Sequence, residues 1–367
     1  MARATALSER FGARSYRTVY VGGGTPTVLG SRLLRVLLEG IGALADHPRE
    51  WTVEANPESL DAETIAVIVG AGANRASIGV QSLDDPSLRA LGRLHDAASA
   101  LRAVELAAES GLSVSADLIA ALPAYGERPP RRDLGREALR LLDAGASHLS
   151  IYDLAIEGET ELGRASARGQ LVFPSEEEAW EERREAEELL STRGFSRYEV
   201  SNYAPPGRES VHNLTYWRME SYVGAGPGAV STIALSADGT FSRPADPAAL
   251  RIEEGRSVQL YDSVDAGTAE TEISLKDAAF EAIMMGFRSS FGPDPVAFRQ
   301  RFGIELADAI PETLARWADR IVRGRPLPAV AGRGRTPGPA LDGEGLDLLN
   351  RFLVECMEEI QDRRWGA

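Results

Sequence analysis

The feature that most restricts the fold of this chain is an alternation of short apolar runs with helix-period stretches through its N-terminal half. It begins at 18–26, Thr-Val-Tyr-Val-Gly-Gly-Gly-Thr-Pro, where a β-rich run feeds three glycines and a proline. Leu33, Leu34, Leu37, Leu38, Ile41 and Leu44 follow at helical spacing. Strand, glycine turn and helix make the first half of a βα unit. Three successive glycines remove every Cβ where the strand ends, so a ligand can approach the main chain closely. Exposed N–H groups there can hold an anionic or polar group. A tight strand-to-helix turn alone would use the same residues. The spacing is not G-x-G-x-x-G and no Gly-Lys-Ser follows, which excludes the dinucleotide fingerprint and the P-loop.

The alternation continues. Strands are expected at 51–55, 75–80, 114–122, 148–154 and 198–203, and helices at 62–69, 97–110, 133–144, 159–168 and 175–193. Strands alternating with helices indicate βαβ units and a parallel sheet. Polar residues interrupt or end these apolar strands: Glu54, Gln81, Asp117, Tyr152 with Asp153, and Glu199. In a parallel barrel the C-terminal strand ends converge on one mouth, so these residues are expected to share a ligand site. Taken singly, each is more simply a satisfied core group or a cap.

Beyond residue 235 the pattern changes. The stretch 236–267 is irregular and reads as a connection; 274–287, 295–302, 311–321 and 345–360 read as helices; 323–345 is rich in Gly, Pro and Arg without a clear period. The sequence therefore predicts an α/β chain: a partial parallel (β/α) barrel over 1–235, a connecting segment over 236–270, and a small, mainly helical domain over 271–367. The order helix, helix, loop or hairpin, helix fits a winged-helix arrangement.

A net charge of −15 and a pI near 4.9 argue against a general nucleic-acid binder, which needs a basic face. Cys356 is the only cysteine. A disulfide or a cysteine-based metal site within one chain is thereby excluded, and a packed core thiol is expected in its helical setting. With no signal peptide and no apolar run long enough to span a bilayer, the expected location is the cytoplasm.

Several stretches carry a resemblance. They are Tyr-Val-Gly-Gly-Gly-Thr-Pro-Thr (20–27), Glu-Ala-Asn-Pro-Glu-Ser-Leu (54–60), Ser-Ile-Gly-Val-Gln-Ser-Leu (77–83), Leu-Gly-Arg-Leu-His (91–95), Asp-Leu-Ile (117–119), Tyr-Glu-Val-Ser-Asn-Tyr-Ala (198–204), His-Asn-Leu-Thr-Tyr-Trp (212–217) and Gly-Pro-Gly-Ala (226–229). With them the chain resembles the oxygen-independent coproporphyrinogen III oxidase family of radical S-adenosylmethionine (SAM) proteins, and within it the heme-chaperone branch. The resemblance implies a radical-SAM-type partial barrel with a small C-terminal domain. It implies that Gly23, Gly24 and Thr25 hold the amino-acid moiety of SAM, and that Glu54, Gln81, Arg93 and Asp117 are further contacts to it. Carboxylates can bond ammonium and ribose hydroxyls, and Arg pairs with carboxylate. His212-Asn-Leu-Thr-Tyr-Trp matches the motif H-N-x-x-Y-W, associated with heme in the chaperone branch. This implies His212 as an iron ligand with Tyr216 and Trp217 beside the porphyrin.

The family also carries C-x-x-x-C-x-x-C before the glycine stretch, where three thiolates hold a [4Fe-4S] cluster. Met1 falls inside what the family makes the helix after that loop, so the first strand, the loop and the three cysteines are expected to be missing and the cluster not ligatable by this chain. Val230 stands where a His often follows Gly-Pro-Gly-Ala, and Ala120, Ala121, Ala124 and Tyr125 replace the family's usual Tyr-Gly-Leu-Pro-Gly-Gln pattern. The implied function is a heme chaperone that binds heme and delivers it to acceptor proteins, with a weak residual SAM pocket. The alternatives are a porphyrinogen-directed radical enzyme whose cluster segment is lost from this record, or a degenerate cluster-free binding protein.

Overall fold

A computed structural model describes residues 1–126, 132–235, 246–258, 261, 267–326 and 337–362. The chain divides into two compact units. One comprises Ser15–Arg197 with Ser201–Glu209; the other comprises Met1–Arg14, Tyr198–Val200 and Ser210–Ala367. The helix that opens the chain, α1 (Ala2–Arg10), belongs to the second.

The first unit runs β1 (Thr18–Val21), α2 (Gly30–Ala45), β2 (Glu50–Ala55), α3 (Ala62–Gly70), β3 (Arg75–Gln81), α4 (Asp85–Ala90), α5 (Ala97–Glu109), β4 (Ser113–Ala120), β5 (Ala124–Tyr125), α6 (Leu134–Asp143), β6 (His148–Asp153), α7 (Glu161–Ala167), β7 (Leu171–Val172), α8 (Glu176–Thr192), β8 (Ser196–Arg197) and β9 (Asn202–Ala204). Seven strands form one sheet in the order β1-β2-β3-β4-β6-β9-β8. β1, β2, β3, β4 and β6 pair in parallel, and β9 and β8 add antiparallel. β1 forms one edge. Strands covered on both faces read as continuous apolar runs, and Val53, Ala76, Ile78, Val80, Val114, Leu118 and Leu149 are indeed fully buried. Leu34 and Leu38 of α2, Ile65 and Ile68 of α3 and Val104 of α5 join that core. Truncating one of these leucines or isoleucines to Ala would cost about 2–5 kcal/mol. Helix starts are written locally. Asp61, Asp96 and Asp133 cap α3, α5 and α6, and Ser175 with Glu178 forms a capping box on α8.

The strand expected at 198–203 is divided. β8 ends at Arg197, β9 starts at Asn202, and Tyr198–Val200 joins the other unit. Its main chain pairs there instead. Ser290 N–H donates to Tyr198 O at 2.8 Å, and Glu199 bridges Ser289.

The second unit continues with α9 (Val211–Trp217), β10 (Val230–Ala234), β11 (Ala249–Glu253), β12 (Ala269–Ile273), α10 (Leu275–Phe287), α11 (Pro295–Phe302), α12 (Leu306–Ala309), α13 (Pro311–Arg316), β13 (Ile321–Arg323), β14 (Pro339–Leu341), α14 (Gly343–Asp347) and α15 (Leu349–Asp362). β10, β11 and β12 form an antiparallel sheet, with Arg3 of α1 paired to Glu254 at 2.7 Å beside it. The stretch 236–270, read from sequence as a connection, thus carries β11 and the start of β12. The strands escaped notice because β12 is exposed except at Ile273, so it has no apolar alternation. Residues 236–245, 259–260 and 262–266 lie outside the described residues. The expected helix at 311–321 is α13 followed by a 3-10 turn, Ala318–Arg320. Helices, the β13–β14 hairpin and α15 then follow in the order anticipated. Phe287, Trp317 and Phe352 centre this core, with ring centroids 4.6 Å apart for Phe287–Phe352 and 5.3 Å for Trp317–Phe352. Among the described residues no helix is long and apolar enough to cross a membrane.

Candidate functional site

At the C-terminal ends of β1, β2 and β3 the polar side chains converge. Glu54 Oε1 accepts from the Tyr20 hydroxyl at 2.6 Å, and its Oε2 accepts from Gly23 N–H at 3.2 Å. Burial, then the charge of Glu54, pushes the Tyr20 phenol well above its usual range. A Cβ at Gly22 would lie 2.5–2.7 Å from the Glu54 carboxylate, so this crossing of strand end and side chain requires glycine. Gly23, at φ 87°, and Gly24 face open space instead.

A second chain of bonds runs sideways. Asn56 Nδ2 donates to Thr25 Oγ1 at 3.0 Å, and Arg93 Nη2 donates to Asn56 Oδ1 at 2.9 Å and to Gly79 O at 3.1 Å. A Cβ at Gly79 would meet Gln81 Nε2 at 2.9 Å, Asn56 Oδ1 at 3.0 Å and Arg93 Nη2 at 3.1 Å. Gln81 itself sits at φ 66°, where the β3–β4 register shifts. A non-glycine residue in that region is strained and is typical of functional sites. Arg93 Nε is buried without a partner among the described residues.

Asp117 of β4 accepts from the Ser77 hydroxyl at 3.2 Å and stands opposite Ser150 of β6. Desolvation pushes its carboxyl up to about 6; bonds from Ser150 and Ser77 and the charge of Arg75 oppose this, and the charge of Glu54 adds to it. Gly23, Gly24, Thr25, Glu54, Gln81, Arg93 and Asp117 therefore fall in one polar region of one unit. Tyr20, Asn56, Ser77 and Gly79 join them without having been singled out from sequence. Tyr152 is 42% exposed, Asp153 pairs with Arg183, and Glu199 belongs to the other unit. His95 is locked, with Nδ1 3.0 Å from Glu58 Oε2 and Nε2 3.1 Å from Val80 O.

His212, Tyr216 and Trp217 lie on α9 in the second unit, whose start Ser210 caps. His212 Nε2 is 3.0 Å from the Tyr216 hydroxyl, and the two rings meet edge-on with centroids 5.0 Å apart. Tyr216 meets Tyr222 edge-on at 4.7 Å. Burial, then Tyr222, pushes the Tyr216 phenol up to about 12. Trp217 projects from a different side of the helix, about 140° round from His212, and its Nε1 is buried without a partner among the described residues.

Residues 3–145 match the family model of the Radical SAM superfamily, and 273–320 match the HemN C-terminal domain. The heme chaperone HemW of Bacillus subtilis is 31% identical over 317 residues, 84% of this chain and 79% of that protein. The heme chaperone HemW of Lactococcus lactis is 36% identical over 229 residues, 62% of this chain and 59% of that protein. The chain belongs to the HemW-like radical SAM family. It spans less than two thirds of the length of the Lactococcus relative and, at 65%, of a bovine mitochondrial radical SAM domain-containing protein. The fold matches that of Escherichia coli coproporphyrinogen III oxidase (HemN), a radical SAM enzyme, with a TM-score of 0.72 at 17% identity, over 96% of this chain and 80% of that one.

The family implies two bound groups, SAM and a [4Fe-4S] cluster. The open main chain at Gly23 and Gly24, the carboxylates of Glu54 and Asp117 and the unpartnered Arg93 Nε form a donor and acceptor set that suits SAM. A [4Fe-4S] cluster does not fit these 367 residues. Their single cysteine, Cys356, is buried in α15 with its thiol pushed up by burial and by Glu359 and Glu355. Among the described residues no group of three or more His, Cys, Asp or Glu is placed to hold a metal ion.

Proposed function

We propose that this HemW-like chain binds heme at α9, with His212 as the iron ligand, and delivers it to acceptor proteins in the cytoplasm, while its barrel keeps a SAM pocket. The observation that carries the heme reading is the setting of His212 among the four histidines. His95 and His148 are buried and bonded, His148 through Nδ1 to Ser115 at 2.8 Å. His47 is exposed, in the turn between α2 and β2. His212 alone is half-buried, edge-on to Tyr216, which in turn meets Tyr222 edge-on, in a chain whose relatives include heme chaperones. Exchanging the bond between His212 Nε2 and the Tyr216 hydroxyl for a metal costs about 1 kcal/mol. Heme supplies the iron to be carried.

In the barrel, Gly23, Gly24 and Thr25 would line the amino-acid end of SAM. Glu54 and Asp117 would accept from its ammonium and ribose hydroxyls, and Arg93 would donate Nε–H to its carboxylate. Asn56 holds the Arg93 guanidinium in place for that role. Residues other than cluster ligands account for this pocket.

The test is a titration of the full chain with hemin, followed by addition of apomyoglobin. The reading expects one saturable site per chain with a shifted Soret band and passage of the heme to the acceptor. Unsaturable, non-stoichiometric uptake would contradict it.

A further inference from the structure

The second unit holds a small recess of about 60 Å³ that the heme reading does not use. Trp217 and Arg218 from the end of α9, Arg301 from α11, and the Gly292–Pro293 turn line it. Arg301 Nε and Nη2 and Trp217 Nε1 are buried, and none has a hydrogen-bond partner among the described residues. Arg301 is held by Nη1, which donates to Met219 O at 3.1 Å. Burial holds its pKa below the usual arginine range.

Buried donors are nearly always paired in folded proteins, and leaving a charged one unpaired is costly. Three such donors on one recess call for an acceptor. The nearby carboxylates are committed elsewhere. Asp294, which also lines the recess, accepts from Val296 N–H and Ala297 N–H as the cap of α11. Both oxygens of Glu281 accept from Arg251. The Arg301 guanidinium, with Nε and Nη2 unbonded among the described residues, brings positive charge to the recess. Its volume exceeds the space of one water and suits a compact group of a few heavy atoms.

We propose that this recess is an oxyanion subsite, which takes one carboxylate or phosphate group on Arg301 and the Trp217 indole N–H. The charge-assisted Arg301 bonds supply most of the affinity, and the indole N–H fixes orientation. Two sources share this chemistry: a propionate arm of a bound porphyrin, or a free inorganic oxyanion. The two faces of α9 bear on the choice, since His212 and Trp217 project from different sides, and only a flexible arm could join them.

The experiment uses the full chain, its Arg301→Gln variant and its Trp217→Phe variant. Inorganic phosphate is titrated against chloride at matched ionic strength, with the thermal midpoint as readout. Hemin and its dimethyl ester, which has no free carboxylate, are titrated in parallel. A free-oxyanion site gives a saturable phosphate-specific rise in midpoint. A propionate site gives hemin binding roughly 10- to 100-fold tighter than the ester. In either case Arg301→Gln abolishes the effect, and Trp217→Phe reduces it roughly 3- to 10-fold. Arg301→Gln removes an unpaired buried charge and should fold at least as stably as the parent in chloride. The wild-type comparison of acid with ester stands even if it does not. No phosphate effect together with equal affinity for acid and ester overturns the subsite while leaving the heme reading in place. No binding of either porphyrin, with the phosphate effect intact, overturns the heme reading and supports a free-oxyanion site.

Discussion

Replacing Asp117 with Asn should stabilise the barrel as pH rises. The carboxyl goes from an ordinary 3.8 to about 6 in the fold, chiefly through desolvation between β3 and β6. That difference corresponds to about 3 kcal/mol in favour of the protonated form. The sign follows from proton counts. Between those two values the folded chain keeps a proton that the unfolded chain has released, so folding stability falls as pH rises through the window and stays lower above it. Asn carries no such proton. Its stability relative to wild type should therefore grow by about 3 kcal/mol across the whole window, roughly half of it between about pH 5 and about pH 7.5. Urea unfolding of both proteins at a series of pH values reads the difference directly. A difference that stays constant with pH, or a variant that becomes less stable than wild type toward neutrality, would refute the reasoning. With Asp117 as a SAM contact, as proposed above, the same variant should also bind SAM roughly tenfold or more weakly.

Gly79→Ala should leave the fold within about 1–3 kcal/mol of wild type. Its methyl would arrive about 3 Å from Gln81, Asn56 and Arg93, so SAM affinity should drop by roughly tenfold or more in calorimetry; unchanged affinity would place the cofactor elsewhere. Cys356 is buried in α15 with its thiol raised, so it should react with a thiol reagent only as fast as the chain unfolds. A fast native-state reaction at about pH 8 would show the helix to be open.

The barrel strands were legible because β2, β3 and β4 are largely buried and appear as short runs of apolar and small residues with polar residues at or near their ends. Glu54, Gln81 and Asp117 stood out for the same reason, as polar groups set into such runs. Tyr20 and Gly79 did not, since tyrosine is an ordinary strand former and Gly79 matters only for the three side chains that close around it. The antiparallel sheet around β11 was missed because β12 is nearly all exposed and polar. The break at Tyr198 was hidden for a different reason. Tyr-Glu-Val-Ser-Asn-Tyr has the composition of one strand, and only long-range partners such as Ser289 and Ser290 pull its first half out of the sheet. The family motifs named the α9 residues together, but helical geometry separates them, with His212 and Tyr216 on one side and Trp217 on another.

A Soret titration of hemin into wild type, His212→Ala and His47→Ala tests most directly whether α9 carries heme through His212. His47 is the other histidine that is not buried, and it lies in the barrel unit. Wild type and His47→Ala should bind one heme with the same affinity and spectrum. His212→Ala should lose at least about 1.4 kcal/mol, a tenfold or greater weakening, together with the histidine-ligated band. If His212→Ala binds hemin as tightly as wild type and with the same spectrum, α9 is not the heme site.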